Sequence, residues 1–386
     1  MKSLSIYIHI PFCVKKCNYC DFLSAPADSR VQEDYLHALL AEIRHAAAGF
    51  TEYEVKTVFI GGGTPTAIAP EAIGKLLALL KASFFIAEDA EISMEANPGT
   101  VTESSLRLYR KAGINRLSIG LQSAEDRELA LLGRIHTYGD FEKTYRLACE
   151  AGFSNINVDL MAALPGQKAA DYEKTLKKIL QLSPRPAHIS AYSLIIEEGT
   201  PFFALYGAEK EAMAHSGEAQ AHLPSEEEER QMYELTEGYL QEAGYHRYEI
   251  SNYSQPGYEC RHNKVYWQRG NYAGFGLGAA SMVENVRFQN TADLQTYLTQ
   301  EEKVSERRCL SVKEQMEEFM FLGLRLIQGV AKTEFEKCFG ISMEEVYGKV
   351  IRENVRNGLL SDGERIFLTK RGLDVSNYVM AQFLFY

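Results

Sequence analysis

Three cysteines near the start of the chain, Cys13, Cys17 and Cys20, follow one another with the spacing CxxxCxxC. They come directly after an apolar, β-branched run that ends at Ile10, and two lysines between the first pair indicate an exposed loop. Iron–sulfur cubanes usually take four cysteine ligands, so three thiolates on one short loop can each bind one iron and leave the fourth iron open. The spacing therefore predicts a [4Fe–4S] cluster whose open iron can bind a small molecule.

A structural zinc site is the alternative for these cysteines. Zinc is held by four ligands in a closed tetrahedron, and the sequence has no second cysteine pair at zinc spacing. His9 or Asp21 could supply a fourth ligand, so residue types alone leave zinc open. The remaining cysteines are isolated in the sequence: Cys149, Cys260, Cys309 and Cys338.

The composition is that of a globular protein, with 46% hydrophobic and 24% charged residues in a chain of 386. No apolar run approaches the ~20 residues of a membrane span, and we expect no signal peptide and no transmembrane segment. An odd number of cysteines without a disulfide-like rhythm predicts a reducing compartment, the cytoplasm. The net charge of −11 argues against nucleic acid as a partner.

Strand and helix patterns alternate along the first half of the chain and predict an α/β fold. Six successive βα units imply a parallel sheet two units short of a closed eight-fold barrel, a partial (β/α)6 barrel. The predicted strands are Ser5–Ile10, Val55–Ile60, Glu91–Ala96, Arg116–Leu121, Asn155–Leu160 and His188–Leu194. The predicted helices are Glu33–Ala47, Pro70–Ala82, Thr102–Ala112, Glu125–Gly152 and Ala170–Leu182.

Local signals divide the rest of the chain. Thr100 and Glu103 have the spacing of a capping box, with Gly113 as a helix stop, and Ser225 is a candidate N-cap before a run of four glutamates. Residues 197–224 are predicted to be irregular. We expect a barrel over residues 1–215, a small α+β connecting region over 216–310 and a winged-helix-like domain over 311–386.

Polar residues stand where the predicted strands end, which is where ligands bind in such sheets. Gly61–Pro65, GGGTP, follows the second strand, and its glycines allow close backbone approach to a ligand, although a plain turn is also consistent. Glu95 ends the third strand and Gln122 the fourth. Asp159 interrupts an apolar run in the fifth strand, where an unpaired carboxylate would be costly.

The stretch Tyr7–Phe22, YIHIPFCVKKCNYCDF, resembles the radical S-adenosylmethionine (SAM) superfamily, and within it the group that contains coproporphyrinogen dehydrogenases and haem chaperones (HemN and HemW). The resemblance implies a radical SAM barrel with a [4Fe–4S] cluster on Cys13, Cys17 and Cys20. It also implies SAM as a cofactor, cleaved by electron transfer from the cluster into methionine and a 5′-deoxyadenosyl radical.

The same resemblance assigns SAM contacts to residues at the strand ends. GGGTP, with Gly62, Gly63 and Thr64, would receive the amino group, and Glu95 would lie near the ribose.

Arg134, whose planar fork suits a carboxylate, would hold the methionyl carboxylate, with Gln122 as a neighbouring polar group. Asp159 would meet a ribose hydroxyl, while Tyr7 and Tyr19 would line the cofactor. On residue type alone, both tyrosines are equally consistent with core positions.

Two features favour the haem-chaperone branch over the dehydrogenase branch. The dehydrogenases carry a further Cys two residues after the third, and this chain has Phe22 there. Residues 262–267, HNKVYW, resemble the HNxxYW motif of the chaperones, which makes His262 a candidate haem ligand, although one His near a Trp is commonly structural. We therefore expect haem as cargo and a haem-accepting protein, such as a respiratory enzyme, as partner. Coproporphyrinogen decarboxylation in porphyrin biosynthesis is the alternative, and turnover of SAM is left open.

The C-terminal region predicts three helices, Lys313–Leu326, Lys332–Phe339 and Met343–Asn357, followed by a hairpin at Asp362-Gly363. This pattern resembles a winged helix, which often binds DNA. Residues 311–386 contain ten lysine and arginine residues against eleven acids, so we interpret the module as a lid or partner-docking element. We expect a monomer or a haem-dependent dimer.

Overall fold

The computed structural model describes residues 1–216 and 221–385. Its strands are β1 Lys2–Ile10, β2 Tyr53–Gly62, β3 Phe85–Ala96, β4 Arg116–Gln122, β5 Asn155–Ala162, β6 His188–Ser193, β7 His246–Arg247, β8 Asn252–Ser254, β9 Tyr272–Phe275, β10 Ala280–Val283, β11 Val286–Asn290, β12 Val304–Cys309, β13 Val330–Ala331, β14 Leu360–Asp362 and β15 Arg365–Leu368.

The helices lie between and after these strands. They are α1 Ser29–Ala46, α2 Pro70–Ser83, α3 Glu103–Ala112, α4 Asp126–Leu131, α5 Tyr138–Glu150, α6 Ala169–Leu180, α7 Pro201–Ser216, α8 Glu226–Glu242, α9 Arg261–Trp267, α10 Leu294–Thr299, α11 Val312–Gly323, α12 Lys332–Phe339, α13 Met343–Arg356, α14 Lys370–Asp374 and α15 Ser376–Ala381. Short 3-10 helices occupy Ala47–Phe50 and Pro65–Ala67.

One twelve-stranded sheet organises the molecule, in the order β12-β11-β10-β9-β1-β2-β3-β4-β5-β6-β8-β7. Strands β1 to β6 are parallel and adjacent in chain order, which confirms the predicted α/β fold with six parallel units. Alternate side chains point to opposite faces of a strand. Ile6 and Ile8 of β1 accordingly belong to the main hydrophobic core, whereas Tyr7 between them lines a cavity on the other face.

Residues after the sixth parallel strand extend the same sheet at both of its edges. β8 pairs with β6 at one edge, and β9 pairs in parallel with β1 at the other. The division of the chain at residues 215 and 310 stays a prediction, and residues 217–220 and Tyr386 lie outside the described residues.

The segment predicted as one helix over Glu125–Gly152 is two helices, so that prediction was wrong. Gly133 adopts a left-handed conformation with φ 77° and ends α4, and Thr137 then caps the start of α5. Arg134 lies in this break. A continuous helix would have carried that side chain in another direction, because successive helical residues rotate about the axis.

Two further local predictions were wrong. The capping box of α3 is formed by Thr102 and Ser105, and Thr100 instead donates to the carbonyl of Asn97. The stretch predicted to be irregular contains α7, which buries Phe202 against a small apolar cluster that includes Tyr19. The predicted stop of α3 at Gly113 and the N-cap at Ser225 are confirmed.

The C-terminal region has its own hydrophobic core, formed by α11, α12 and α13 with a three-stranded sheet β13-β15-β14. Three helices and a hairpin turning after Asp362 are present as predicted, followed by α14 and α15. Among the helices of residues 1–216 and 221–385, none is both long and apolar enough to cross a bilayer.

Helix α9 packs on the face of the sheet that carries Tyr7 and Phe59, and it is anchored by one carboxylate. The backbone N–H groups of Arg261 and His262 donate to Glu91 of β3 at 2.9 and 3.1 Å, and the Cys260 thiol donates to the same carboxylate at 3.6 Å. A carboxylate is favourable at a helix N-terminus because that end carries partial positive charge. Glu91 therefore holds the helix that contains the HNKVYW segment.

We predict that Glu91→Ala lowers the free energy of unfolding by about 3 kcal/mol, because it leaves several buried donors without an acceptor. Urea unfolding followed by circular dichroism measures the change. Glu88→Ala on the same strand is the control, since Glu88 is exposed. Equal stability of the two variants would show that α9 does not depend on Glu91.

Candidate functional site

One cavity of about 400 Å³ lies between the cysteine loop and α9. All thirteen residues that the sequence singles out line it: Tyr7, Cys13, Cys17, Tyr19, Cys20, Gly62, Gly63, Thr64, Glu95, Gln122, Arg134, Asp159 and His262. They come from β1 to β5, the loops after β1 and β2, the break between α4 and α5, and α9. The structure brings the residues together, and their individual roles stay predictions.

The cysteine loop is held against the break after α4. The backbone N–H of Asn18 donates to the carbonyl of Leu132 at 2.9 Å, and its side-chain amide donates to Leu131 at 2.9 Å. A Cβ at Gly133 would lie 2.9 Å from the Asn18 side chain, so glycine permits this close approach. The loop thus depends on the same glycine that ends the helix.

Two of the three sulfurs receive hydrogen bonds from neighbouring side chains. The hydroxyl of Thr64 donates to Sγ of Cys13 at 3.5 Å, and Nη1 of Arg134 donates to Sγ of Cys17 at 3.7 Å. Such donors place partial positive charge beside the two sulfurs. Burial raises the pKa of Cys20, which disfavours its thiolate until a metal replaces the proton.

His9 is not free to act as the fourth ligand that a zinc site would require. Its Nε2 donates to the carbonyl of Leu23 at 2.8 Å, so Nδ1 accepts from the hydroxyl of Tyr7 at 3.0 Å. Within the described residues, no three His, Cys, Asp or Glu side chains converge on a point suited to a single ion. Three thiols beside hydrogen-bond donors fit a cluster that takes one thiolate per iron.

The glycine segment runs beside the first cysteine in a position that side chains could not occupy. A Cβ at Gly62, which has φ 113°, would lie 2.5 Å from the His9 ring, and one at Gly63 would lie 2.7 Å from the carbonyl oxygen of Phe12. The N–H groups of Gly62, Gly63 and Thr64 donate to Glu95, Ile10 and Phe12 respectively. These glycines therefore serve close packing of two loops.

Two carboxylates line the cavity. Burial, together with repulsion from Asp159, raises the pKa of Glu95 to about 7. Burial also raises the pKa of Asp159, although Asn157 donates to it at 2.8 Å and Ser118 at 3.2 Å. Both groups are partly accessible from the cavity. A ligand hydroxyl or ammonium group would stabilise the ionised forms.

Some buried polar atoms of this cavity have no hydrogen-bond partner among the described residues, and a ligand would satisfy them. Oε1 of Gln122 and Nε of Arg134 are both in this state. Arg134 otherwise donates to Oδ1 of Asn97 at 2.9 Å and to the carbonyl of Gly120. A Cβ at Gly120 would lie 3.2 Å from the guanidinium, so glycine makes room for it.

His262 lies at the end of the cavity opposite the cysteine loop and is 1% exposed. Its ring stacks on Phe59 at 5.2 Å, Nδ1 pairs with the hydroxyl of Thr57 at 2.8 Å and Nε2 with the hydroxyl of Tyr266 at 2.9 Å. Burial, with the nearby guanidinium of Arg116, lowers the pKa of His262 to about 3. The imidazole is neutral at pH 7, and both nitrogens are engaged.

Several further residues line the same cavity, and the sequence alone predicted no individual role for them: Phe59, Asn97, Arg116, Ser118, Asn157, Ser190, Tyr192 and Tyr266. Ser118 and Asn157 could have been found from the two-residue alternation along β4 and β5, which places them on the face of Gln122 and Asp159. Arg116, which is 1% exposed, follows from the same alternation. Tyr266 could not, because nothing local indicates where α9 packs.

The fold and the three-cysteine cavity define a radical SAM protein. A family model described as the Radical SAM superfamily matches residues 7–179, and one described as the HemN C-terminal domain matches residues 310–375. The solved structure of coproporphyrinogen III oxidase (HemN) from Escherichia coli, described as a radical SAM enzyme, superposes with a TM-score of 0.84. It is 24% identical in sequence and covers 99% of this chain and 90% of that one, which shows a shared fold.

Two curated relatives show which family within this superfamily the chain belongs to. A protein named heme chaperone HemW from Bacillus subtilis (strain 168) is 36% identical over 98% of this chain and 99% of the relative. One of the same name from Escherichia coli (strain K12) is 35% identical over 94% of this chain and 93% of the relative. The chain belongs to the HemW family. Its superfamily implies a [4Fe–4S] cluster and SAM, which fit the thiols and unpartnered polar atoms of the cavity.

The raised pKa of Glu95 predicts a pH effect on the protein without cofactors. The folded chain keeps a proton on Glu95 that the unfolded chain releases above its ordinary pKa of 4.5, so stability falls as pH rises from 4.5 to about 7. We expect Glu95→Gln to remove on the order of 2 to 3 kcal/mol of that fall. Urea unfolding at a series of pH values measures it, with Glu88→Gln as control. Parallel pH profiles for wild type and Glu95→Gln would contradict this assignment.

Proposed function

We propose that this protein is a haem chaperone that carries a [4Fe–4S] cluster and SAM and transfers haem to an acceptor protein in the cytoplasm. The observation that carries the proposal is the set of three thiols around one cavity in a chain of the HemW family, with Phe22 where the dehydrogenases have a further cysteine. Phe22 is 61% exposed at the cavity and cannot act as a metal ligand.

The cluster would be held by Cys13, Cys17 and Cys20, and when bound it supplies an electron to SAM. The hydroxyl of Thr64 and the guanidinium of Arg134 lie on the sulfurs of two of these cysteines, where they stabilise negative charge.

The residues deeper in the cavity would bind SAM. Glu95 and Asp159 would accept hydrogen bonds from its ribose hydroxyls, and Gln122 would use its unpartnered oxygen. Arg134 would meet the methionyl carboxylate, while Tyr7 and Tyr19 would flank the cofactor. Gly62, Gly63 and Thr64 would face the amino group, which donates hydrogen bonds, so their carbonyl oxygens and the Thr64 hydroxyl oxygen would be the acceptors.

The assignment of His262 as a haem ligand stays a prediction. Its neutral imidazole is in the form that binds iron, but Nε2 must first leave the hydroxyl of Tyr266. Iron also has to reach a side chain that is 1% exposed. These contacts favour a structural role, in which His262 fixes α9 against β2.

We predict that serine in place of any one of Cys13, Cys17 and Cys20 abolishes the cluster, because each thiolate holds a different iron. Iron and sulfide are quantified after anaerobic reconstitution. Cys338→Ser is the control, since Cys338 is an exposed cysteine far along the chain. Retention of full iron and sulfide in a Cys20→Ser variant would mean that the ligand set is different.

One experiment on a single sample distinguishes haem binding from decarboxylation of coproporphyrinogen III. The reconstituted wild type is titrated with haemin and, with SAM and a reductant, is given coproporphyrinogen III. We expect one haem per chain and no vinyl product. Formation of protoporphyrinogen would establish the dehydrogenase alternative and show that Phe22 does not prevent that reaction.

A further inference from the structure

The cavity between the cysteine loop and α9 has the volume of a site for one small molecule. Its volume of about 400 Å³ lies near the lower end of the roughly 300 to 1,000 Å³ typical of sites that enclose a small molecule. The residues assigned to SAM occupy its walls from the cysteine loop to α9. Haem is larger than SAM, so a protein that holds both at once needs a second surface.

A groove of about 1290 Å³ lies on the opposite face of the sheet. It runs between the C-terminal half of α1 and strands β9 to β12, and we call it the outer groove. In the pairing of β1 with β9, Ile8 lies opposite Phe275 while Tyr7 lies opposite Gly274. Tyr7 points into the SAM cavity, so Phe275, which lines the outer groove, points the other way.

The floor and walls of the outer groove are largely apolar. They are formed by Phe275, Val283, Val286, Phe288 and Leu298. A flat aromatic macrocycle gains free energy when it leaves water for such a surface, and aromatic side chains suit its faces.

Four basic side chains line the groove: Arg44, His45, Lys303 and Arg307. Arg44 and His45 are exposed in the last turn of α1, and within residues 1–216 and 221–385 they have no hydrogen-bond or ion-pair partner. Arg307 of β12 lies over the Phe288 ring at 5.2 Å and forms no ion pair with any residue that the structure describes. Two free guanidinium groups and one free imidazole thus face the same apolar groove.

The acidic side chains of the groove leave these bases available. Glu42 is held by Tyr297, by Asn290 at 2.6 Å and by the N–H of Gly276 at 3.0 Å. Glu301 and Glu302 are adjacent in the loop before β12, beside Lys303, which donates to the carbonyls of Tyr297 and Gln300. Their negative charge would direct ligand carboxylates away from this loop, toward the arginines.

We propose that the outer groove is the haem site, with the macrocycle on the apolar floor, His45 as an axial iron ligand and Arg44 and Arg307 paired with the two propionates. Imidazole is a common haem ligand, and the arginine fork matches a carboxylate. The inference rests on the proposed haem function and adds where the haem binds. With haem in the outer groove, His262 keeps its hydrogen bonds to Thr57 and Tyr266 and holds α9 in place.

The test is a haemin titration of the full, cluster-loaded chain with SAM present, followed by absorption spectroscopy. We expect His45→Ala to weaken binding at least about tenfold and to remove the spectrum of an imidazole-ligated haem. The matched control is His37→Ala, because His37 is an exposed histidine of the same helix that does not line the groove. It should bind haem as the wild type does.

Metal-free protoporphyrin IX separates iron ligation from recognition of the propionates. It should bind wild type and His45→Ala equally, since it has no iron. The double variant Arg44→Gln, Arg307→Gln should lose about tenfold in affinity for both haem and the metal-free ring. Ala41→Trp, at an exposed position facing the groove, should exclude both ligands without disturbing the core.

Different results would contradict the proposed haem site and the proposed haem function. If His45→Ala and the arginine variant bind haem as wild type does while His262→Ala does not, the groove is the wrong site and the haem function stands. If wild type binds no haem, the proposed function itself fails. If Ala41→Trp changes the oligomeric state and not haem binding, the groove is a contact between copies of the chain.

Discussion

The contact between Glu91 and the N-terminus of α9 is the interaction on which the functional cavity depends. The six parallel strands do not close into a barrel, because further strands extend the sheet at both of its edges. Glu91 accepts from the first N–H groups of α9 and holds that helix against the face of the sheet that carries Phe59. The helix then presents His262 and Tyr266 as one wall of the cavity.

Hydrogen-bonded polar side chains surround the cavity, whereas the interior of a barrel is usually filled by apolar, branched side chains. His188 donates to Asn157, Asn157 donates to Asp159, and Tyr248 donates in turn to His188. Such a network fixes side chains because breaking any link leaves a buried group unpaired. Asp159 is thereby held in place before a ligand arrives, and a few unpartnered atoms remain to meet it.

The two faces of the sheet carry different chemistry because strand side chains alternate. Along β1, Tyr7 joins the thiols and carboxylates on the cavity side, and Ile8 joins the apolar side that α1 covers. Beyond α1 the added strands β9 to β12 extend that apolar side further than the helix reaches, which leaves the outer groove. A ligand with large apolar rings and a ligand with many polar groups therefore have separate places on one sheet.

The sequence by itself determined the parallel sheet, the cysteine loop and the strand-end residues, because these depend on short-range spacing and on a two-residue alternation that local chemistry imposes. The break at Gly133 was missed, since the helical pattern continues on both sides of it and the left-handed glycine and the Thr137 cap lie within that pattern. Tertiary structure alone decided that α9 closes the cavity and that His262 is engaged at both nitrogens. The partners of His262 are 205 residues away and four residues away, and the packing of a helix across a sheet has no signature in neighbouring sequence.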